Sequence, residues 1–312
     1  LRRTAINGYF KVKCDEGKAN MWPVIRPFIT NKGSRTDNSI TLLEDEGIIT
    51  EPKEVAETLN VFYTSIANSI GGPDSLANAD AFCEHPSVKT IKEHMSHATQ
   101  SADFDFRFVT PAEVERIISK YDPKKATGCD EIPPKLLKCS RKCISRPIAS
   151  LVNHMVRNCT FPNLLKLANV TPVFKKKDRL SKTNYRPVSI LNSISEVLES
   201  VINDQIWIHF SQFASPFLTA YRSGRGCNTA LLHLIETWKQ QLDDKNMVGA
   251  VLMDLSKAFD CIPHGLLQAK LQAYGFSNNA VALIMDYMSN RMQRVKVSGV
   301  VSEWMEISKG VP

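Results

Sequence analysis

The sequence predicts an α+β fold, and three observations carry that prediction. Apolar residues recur at helical spacing in Pro52–Ile70, in 111–121, in 134–157 and in 193–210. Two stretches read instead as hairpins: Val170–Phe174 with Val188–Leu191, and Arg294–Gly299 with Ser302–Ile307. The third is Val248–Met253, six apolar or small residues in an unbroken run that ends on Asp254. Such a run reads as a strand buried on both faces, although periodicity alone leaves a buried helix open.

Composition bounds the problem. A chain of 312 residues with 43% hydrophobic content can build a large core or two domains. The 39 Lys+Arg against 32 Asp+Glu give a net charge of +7, which permits a polyanionic partner without demanding one. No apolar run approaches the ~18 residues of a membrane span, so no membrane is expected. No signal peptide opens the chain. The eight cysteines, at 14, 83, 129, 139, 143, 159, 227 and 261, include no Cys-x-x-Cys. Reduced thiols in a cytoplasmic or nuclear, non-secreted protein are the reading. Cys139 and Cys143 are expected to share a helix face, but their spacing fits no common zinc pattern.

Taken in order, residues 1–100 are polar and mixed. Val55, Leu59, Phe62 and Ile66 mark one helix, and Gly71–Ser75 breaks it. His94 and His97 lie three apart with no carboxylate or cysteine to complete a metal set. Thr110-Pro111-Ala112-Glu113 then spells a capping box with proline at the first helical position. Val114, Ile117, Ile118 and Tyr121 form the stripe behind it. A basic, glycine-containing loop, Lys124–Pro133, leads into a second helix over 134–157. Val170–Phe174 enters the run 175–186, which holds six positive charges against one negative. A solvated loop is the ordinary reading of such a run. Here apolar strands on both sides make it the held tip of a hairpin, suited to phosphate. Ser193-Ile194-Ser195-Glu196 offers a further capping box. Tyr221–Asn228 is an Arg/Gly loop opening a helix with Leu231, Leu232, Leu234, Ile235 and Trp238. Glycine lets a backbone approach a ligand, and arginine suits phosphate. Asp254 reads in two ways: it caps the turn that follows, or a rigid strand end presents it as a metal ligand.

The order of motifs resembles one family. Lys124–Pro133, Pro172–Asp178, the Asn-Tyr-Arg-Pro-Val-Ser-Ile-Leu-Asn of Asn184–Asn192, the Tyr-Arg-Ser-Gly of Tyr221–Gly224, the Asp-Leu-Ser-Lys-Ala-Phe-Asp of Asp254–Asp260 and Gly310-Val311-Pro312 are similar to those of the reverse transcriptases of LINE-type non-LTR retrotransposons. The resemblance implies a right-hand polymerase, with fingers and part of a palm in residues 101–312. It makes residues 1–100 a helical segment linking an upstream endonuclease to the polymerase. It also implies partners, an RNA template, a DNA primer and dNTPs, and two Mg²⁺ as cofactor. Asp254 and the backbone carbonyl of Leu255 match metal ligands. Lys176 and Arg186 match residues that grip the triphosphate, and Phe259 matches the ring that rejects a 2′-OH. Lys175, Lys177, Arg222, Gly224 and Arg225 would lie along nucleic acid.

The family continues Gly-Val-Pro into Gln-Gly and then an Ala/Tyr-x-Asp-Asp turn carrying two more carboxylates, and then a thumb. Residues 1–312 hold none of these, and residue 1 is Leu. The expectation is therefore a piece of a longer product, inactive alone. A non-catalytic nucleic-acid-binding remnant is the alternative. A splicing-type maturase is weaker, because the Lys124–Pro133 motif argues for the LINE type.

Overall fold

The computed structural model describes residues 40–45, 47–70, 79–96, 103–255 and 257–311. The breaker at Gly71–Ser75 and His97 lie outside the described residues. The fold mixes helix and sheet. Strands β1 (Leu42–Glu44) and β2 (Gly47–Ile49) form a small hairpin ahead of helix α1 (Pro52–Ile70), whose bounds are those the apolar spacing predicts. Helix α2 (Pro86–Ser96) follows, then α3 (Pro111–Ser119), α4 (Pro134–Cys139) and α5 (Arg141–Asn158). Strands β3 (Leu167–Phe174) and β4 (Tyr185–Leu191) form the predicted hairpin, antiparallel from Ala168↔Leu191 to Phe174↔Tyr185. Helices α6 (Ser193–Phe210), α7 (Cys227–Asp243), α8 (His264–Ala273) and α9 (Asn278–Met288) come next. Strands β5 (Arg291–Val297), β6 (Val300–Val301) and β7 (Met305–Ile307) close the described chain.

The sheet runs β4-β3-β5-β6, with β7 also paired to β5. Its centre is parallel, Leu167↔Met292 to Val170↔Val295, so two hairpins far apart in sequence join along β3 and β5. Alternation along β5 turns Arg291, Gln293, Val295 and Val297 to one buried face. Helix α1 covers it. Val55, Leu59, Tyr63 and Ile66 pack with Leu42, Val170, Tyr185, Val295 and Val297 in one core cluster. Asn60, fully buried, accepts from Gln293 Nε2 at 3.0 Å and donates to Glu303 O at 2.9 Å, so its amide is paired. Residue 100 is thus no packing boundary, because the segment ahead of it shares a core with the sheet. A second cluster unites Val114 and Ile118 of α3, Val152 and Met155 of α5, Val197, Leu198 and Val201 of α6, and Leu283 of α9. Lys166, 1% exposed, enters β3 with its Nζ 3.1 Å from Asp286, which also accepts from Phe161 N at 2.6 Å. No described helix is long and apolar enough to cross a membrane.

The first capping box forms as spelled. Thr110 Oγ1 accepts from Glu113 N, and Glu113 Oε2 accepts from Thr110 N at 2.8 Å. Arg107 reaches the same carboxylate at 2.6 Å, and with the Thr110 amide it pulls the Glu113 carboxyl down to about 2. The second box does not form. Asn192 takes the N-cap position of α6 with no capping bond, because its side chain is used elsewhere. It accepts from Asp130 N at 3.2 Å and Cys129 Sγ at 3.1 Å, and donates to Leu164 O at 3.2 Å. Ser193 Oγ donates to Ile132 O at 3.1 Å. Both groups therefore hold the Lys124–Pro133 loop against the end of β4. Gly128 is there because a Cβ would stand 2.5 Å from Leu191 O and 2.8 Å from Asn192 Cα.

Three further expectations need correction. The helix over 134–157 is two, broken at Ser140, so Cys139 and Cys143 sit on different helices and both are exposed. Helix α7 forms but buries none of its apolar residues: Leu232 is 61% exposed. Val248–Met253 is no strand; Val251, Leu252 and Met253 are 88%, 93% and 89% exposed. A buried strand needs hydrogen-bonding neighbours on both edges, and no described strand pairs with this run.

Gly128→Ala is expected to destabilise the chain by roughly 1–3 kcal/mol, as an inserted methyl facing backbone atoms cannot be relieved by a rotamer change; urea unfolding measures it. Glu113 contributes stability fully above its unfolded value of 4.5, and this is lost as pH falls through about 2. The stability gap between wild type and Glu113→Gln should therefore be present at neutral pH and shrink steadily across that window. A gap independent of pH would place the loss in packing.

Candidate functional site

The β3–β4 tip is ordered by its own polar groups. Lys175 N donates to Asn184 O at 2.8 Å, Leu180 N to Asp178 Oδ1 at 2.9 Å, and Tyr185 OH to Arg179 O at 2.7 Å. Lys177 takes a left-handed φ of 72° to make the turn. The six cations then divide. Arg179 lies 4.8 Å over the Phe174 ring, and Lys182 pairs with Glu44 of β1 at 2.5 Å. Lys175, Lys176, Lys177 and Arg186 are exposed and have no ion pair among the described residues. Arg186 is the second residue of β4, opposite Val173. These four exposed cations include both residues, Lys176 and Arg186, that the resemblance matches to the triphosphate.

The Arg/Gly loop is tied inward. Arg222 donates to Ser215 O at 3.3 Å and stacks 5.9 Å from the Trp207 ring, while Arg225 donates to Pro216 O at 2.7 Å. Gly224 turns at φ 74° with nothing near the place of a Cβ. Tyr221 of this loop meets the Phe259 ring edge-on, centroids 6.0 Å apart at 87°.

Phe259 belongs to the segment after Asp254, and that segment is docked on the last motif. Val311 N donates to Phe259 O at 3.0 Å and Gly310 N to Ile262 O at 3.1 Å. His264 Nε2 meets Gly310 O at 2.8 Å. Gly310 stands at φ 80°, and a Cβ there would lie 2.7 Å from Phe259 O, so only glycine allows this contact. Phe259 is 54% exposed and so is not a core ring.

Phe259, Asp260 and Val311 line one side of a cleft of about 1090 Å³ whose other walls include Pro187–Ser189 of β4, Glu196 and Glu199 of α6, and Tyr121. Tyr121 OH donates to Glu196, whose carboxylate also takes Lys125 Nζ at 2.6 Å; burial and that carboxylate raise the phenol. Burial raises the Glu199 carboxyl, despite bonds from Tyr287 OH at 2.8 Å and Ser195 Oγ at 3.2 Å. Burial likewise raises the Asp260 carboxyl and lowers the Lys257 ammonium.

The fold therefore gathers Phe259, Val311 and Pro187–Ser189 of β4 around one cleft; Tyr221 touches it only through the Phe259 ring, and Lys176 and Arg186 do not line it. The fold does not bring Asp254 or Leu255 there: both are exposed, neither lines the cleft, and the supporting strand is missing. Nor do three or more Asp, Glu, His or Cys groups gather as a metal set among the described residues. The donors present thus do not fit a two-metal site. Motif reading missed Tyr63. It lines the cleft from α1, and its hydroxyl is buried without a hydrogen-bond partner in the described structure. Only its place beside the apolar stripe of α1 marked it in the sequence.

Residues 174–312 match the family described as reverse transcriptase (RNA-dependent DNA polymerase). The chain is 25% identical over 305 residues to an RNA-directed DNA polymerase from mobile element jockey of Drosophila funebris, covering 90% of this chain and 33% of that protein. It is 27% identical over 253 residues to a probable RNA-directed DNA polymerase from transposon X-element of Drosophila melanogaster, covering 76% and 28%. A probable RNA-directed DNA polymerase from transposon BS of the same species is 26% identical over 210 residues, 65% and 23%. The chain spans about a third or less of the length of these curated relatives. With six motifs in family order and this agreement across most of its length, the chain is similar to the RNA-directed DNA polymerases of mobile elements, and residues 174–312 match the reverse transcriptase family.

Proposed function

We propose that this chain is the fingers and first part of the palm of an RNA-directed DNA polymerase, acting on an RNA template, a DNA primer and dNTPs. One observation carries the reading: motifs separated by over a hundred residues close around a single cleft, with four exposed cations on the hairpin that forms one of its walls. In this reading Arg186 and Lys176 grip the triphosphate, Arg186 through its planar fork and Lys176 as a point charge. Phe259, held by Tyr221 and by the Gly310–Val311 backbone, presents a half-exposed ring where a 2′-OH would be refused. Asp254 and Leu255 keep their proposed place as first ligands of Mg²⁺. The carboxylates that complete such a set belong, by resemblance, to the two-aspartate turn that residues 1–312 do not contain. No step is assigned to metal in this chain. Lys175, Lys177 and the backbone around Gly224 are proposed to follow nucleic acid. Arg222 and Arg225 first hold their own loop. The cut between a linker of residues 1–100 and a polymerase of 101–312 is proposed as an order of motifs, since the core runs across it.

A second reading has an observation of its own. Lys175, Lys176, Lys177 and Arg186 are exposed with no ion pair among the described residues, which suits a module that holds nucleic acid through its phosphates. The two readings part on nucleotide selection.

Binding of the 312-residue chain to an RNA–DNA hybrid should weaken steeply with salt, as phosphate contacts release counterions. Lys175→Ala and Lys177→Ala are each expected to lower the slope of log K against log salt by about 1, uniformly across sequences. An unchanged slope would remove these lysines from the interface. In a polypeptide continuing past residue 312 through the two-aspartate turn, Phe259→Val should raise the rNTP/dNTP ratio of kcat/KM by at least about tenfold, a shift of ~1.4 kcal/mol. The exposure of the ring predicts little loss of thermal stability alongside it. A constant ratio would leave nucleic-acid binding as the better account.

A further inference from the structure

The ring of Phe62 in α1 meets two lysines from distant parts of the chain. Lys182 of the basic hairpin has its Nζ 5.7 Å from the ring centroid, and Lys257 of the Asp254–Asp260 segment has its Nζ 4.8 Å away. A cation within about 6 Å of an aromatic centroid is attracted by the ring quadrupole. Each lysine carries its own segment with it. Lys182 pairs with Glu44 at 2.5 Å, and Leu43 N donates to Leu180 O at 2.8 Å, so β1 stitches the hairpin tip. Lys257 stands at φ 51° and its carbonyl accepts Asp260 N at 3.1 Å, closing the turn that presents Phe259. A left-handed lysine is disfavoured unless something holds it. Phe62 itself is anchored, packing against the cluster that α1 shares with the sheet.

We propose that Phe62 is a positioning residue that locks the basic hairpin and the Lys257–Asp260 turn into one fixed relation through its two lysine contacts. Phe62, on a helix from the stretch ahead of the polymerase motifs, then sets the geometry of the site without lining the cleft itself. The inference rests on reading those two segments as parts of one nucleotide site. An ordinary apolar contact would ask of residue 62 only that it fill space, which leucine does as well. A lock through two cations asks for an aromatic face.

Amide hydrogen exchange on the full 312-residue chain separates these. Lys175, Asn184 and Leu43 report the hairpin and its stitch, while Asp260, Gly310 and Val311 report the other segment. Each of these amides donates a hydrogen bond outside the regular ladders. Phe62→Leu is expected to speed exchange in both groups by roughly fivefold or more, with the amides of β3 and β5 unchanged. Phe62→Trp should restore both, since tryptophan offers the strongest cation-binding face. Lys257→Met, a partly exposed change that does not threaten folding, should speed only Asp260, Gly310 and Val311. No change in either group, a uniform rise through α1 and the sheet, or failure of Trp to restore would each overturn the proposal. The exchange readout is independent of the binding and selection tests above. A lock without polyanion binding would sink the reading of the site alone, and binding without coupled exchange would sink the lock alone.

Discussion

An apolar sheet face has to be covered, and in this chain the cover comes from far upstream. Val170, Tyr185, Val295 and Val297 would lie open to water without α1, whose Val55 and Leu59 are fully buried against them. Burying an aliphatic side chain of this size is worth about 1.5–3 kcal/mol, so the contact is a main source of stability for the sheet. It is also directional. Lys53 spans Glu57 and Glu303 at 3.0 Å each, and Glu303 N donates to Glu57 at 2.8 Å, so the helix is pinned to the β6–β7 connection as well as to its middle.

Much of the site's order follows from that cover. With α1 seated, β1 can reach the basic tip through Glu44, and Tyr63 enters the cleft. The partition of the basic run is a consequence. A lysine paired to Glu44 and an arginine lying over Phe174 are structural cations, and the remaining ones stay exposed. The same logic explains Asn192 and Ser193. Spelled as a helix start, they serve a loop some sixty residues earlier. A satisfied buried amide and three held backbone groups outweigh one capping bond of about 1 kcal/mol.

The exposed run Val251–Leu255 and the bare helix α7 share an explanation. Both were read as apolar, and both are, yet apolar character says only that burial is favourable and not what supplies it. Within the described residues no strand offers its edge to 248–254, and no face receives Leu231, Leu232 or Trp238.

The sequence by itself determined the local and the periodic. The extent of α1, the β3–β4 hairpin, the Thr110–Glu113 box and the order of motifs that carries the family resemblance all depend on neighbours within a few residues, or on identity alone. Tertiary structure decided everything that depends on a distant partner: the parallel joint of β3 with β5, the absence of a strand before Asp254, the inward pull of Arg222 and Arg225, and the seating of Gly310 on Phe259. A hydrogen-bonding pattern of alternation predicts that a strand can form, but its free energy comes from the edge it meets. That edge is chosen by the whole chain. For the same reason Phe62 reads in the sequence as one more apolar residue in a stripe, and only the fold brings two lysines to its ring.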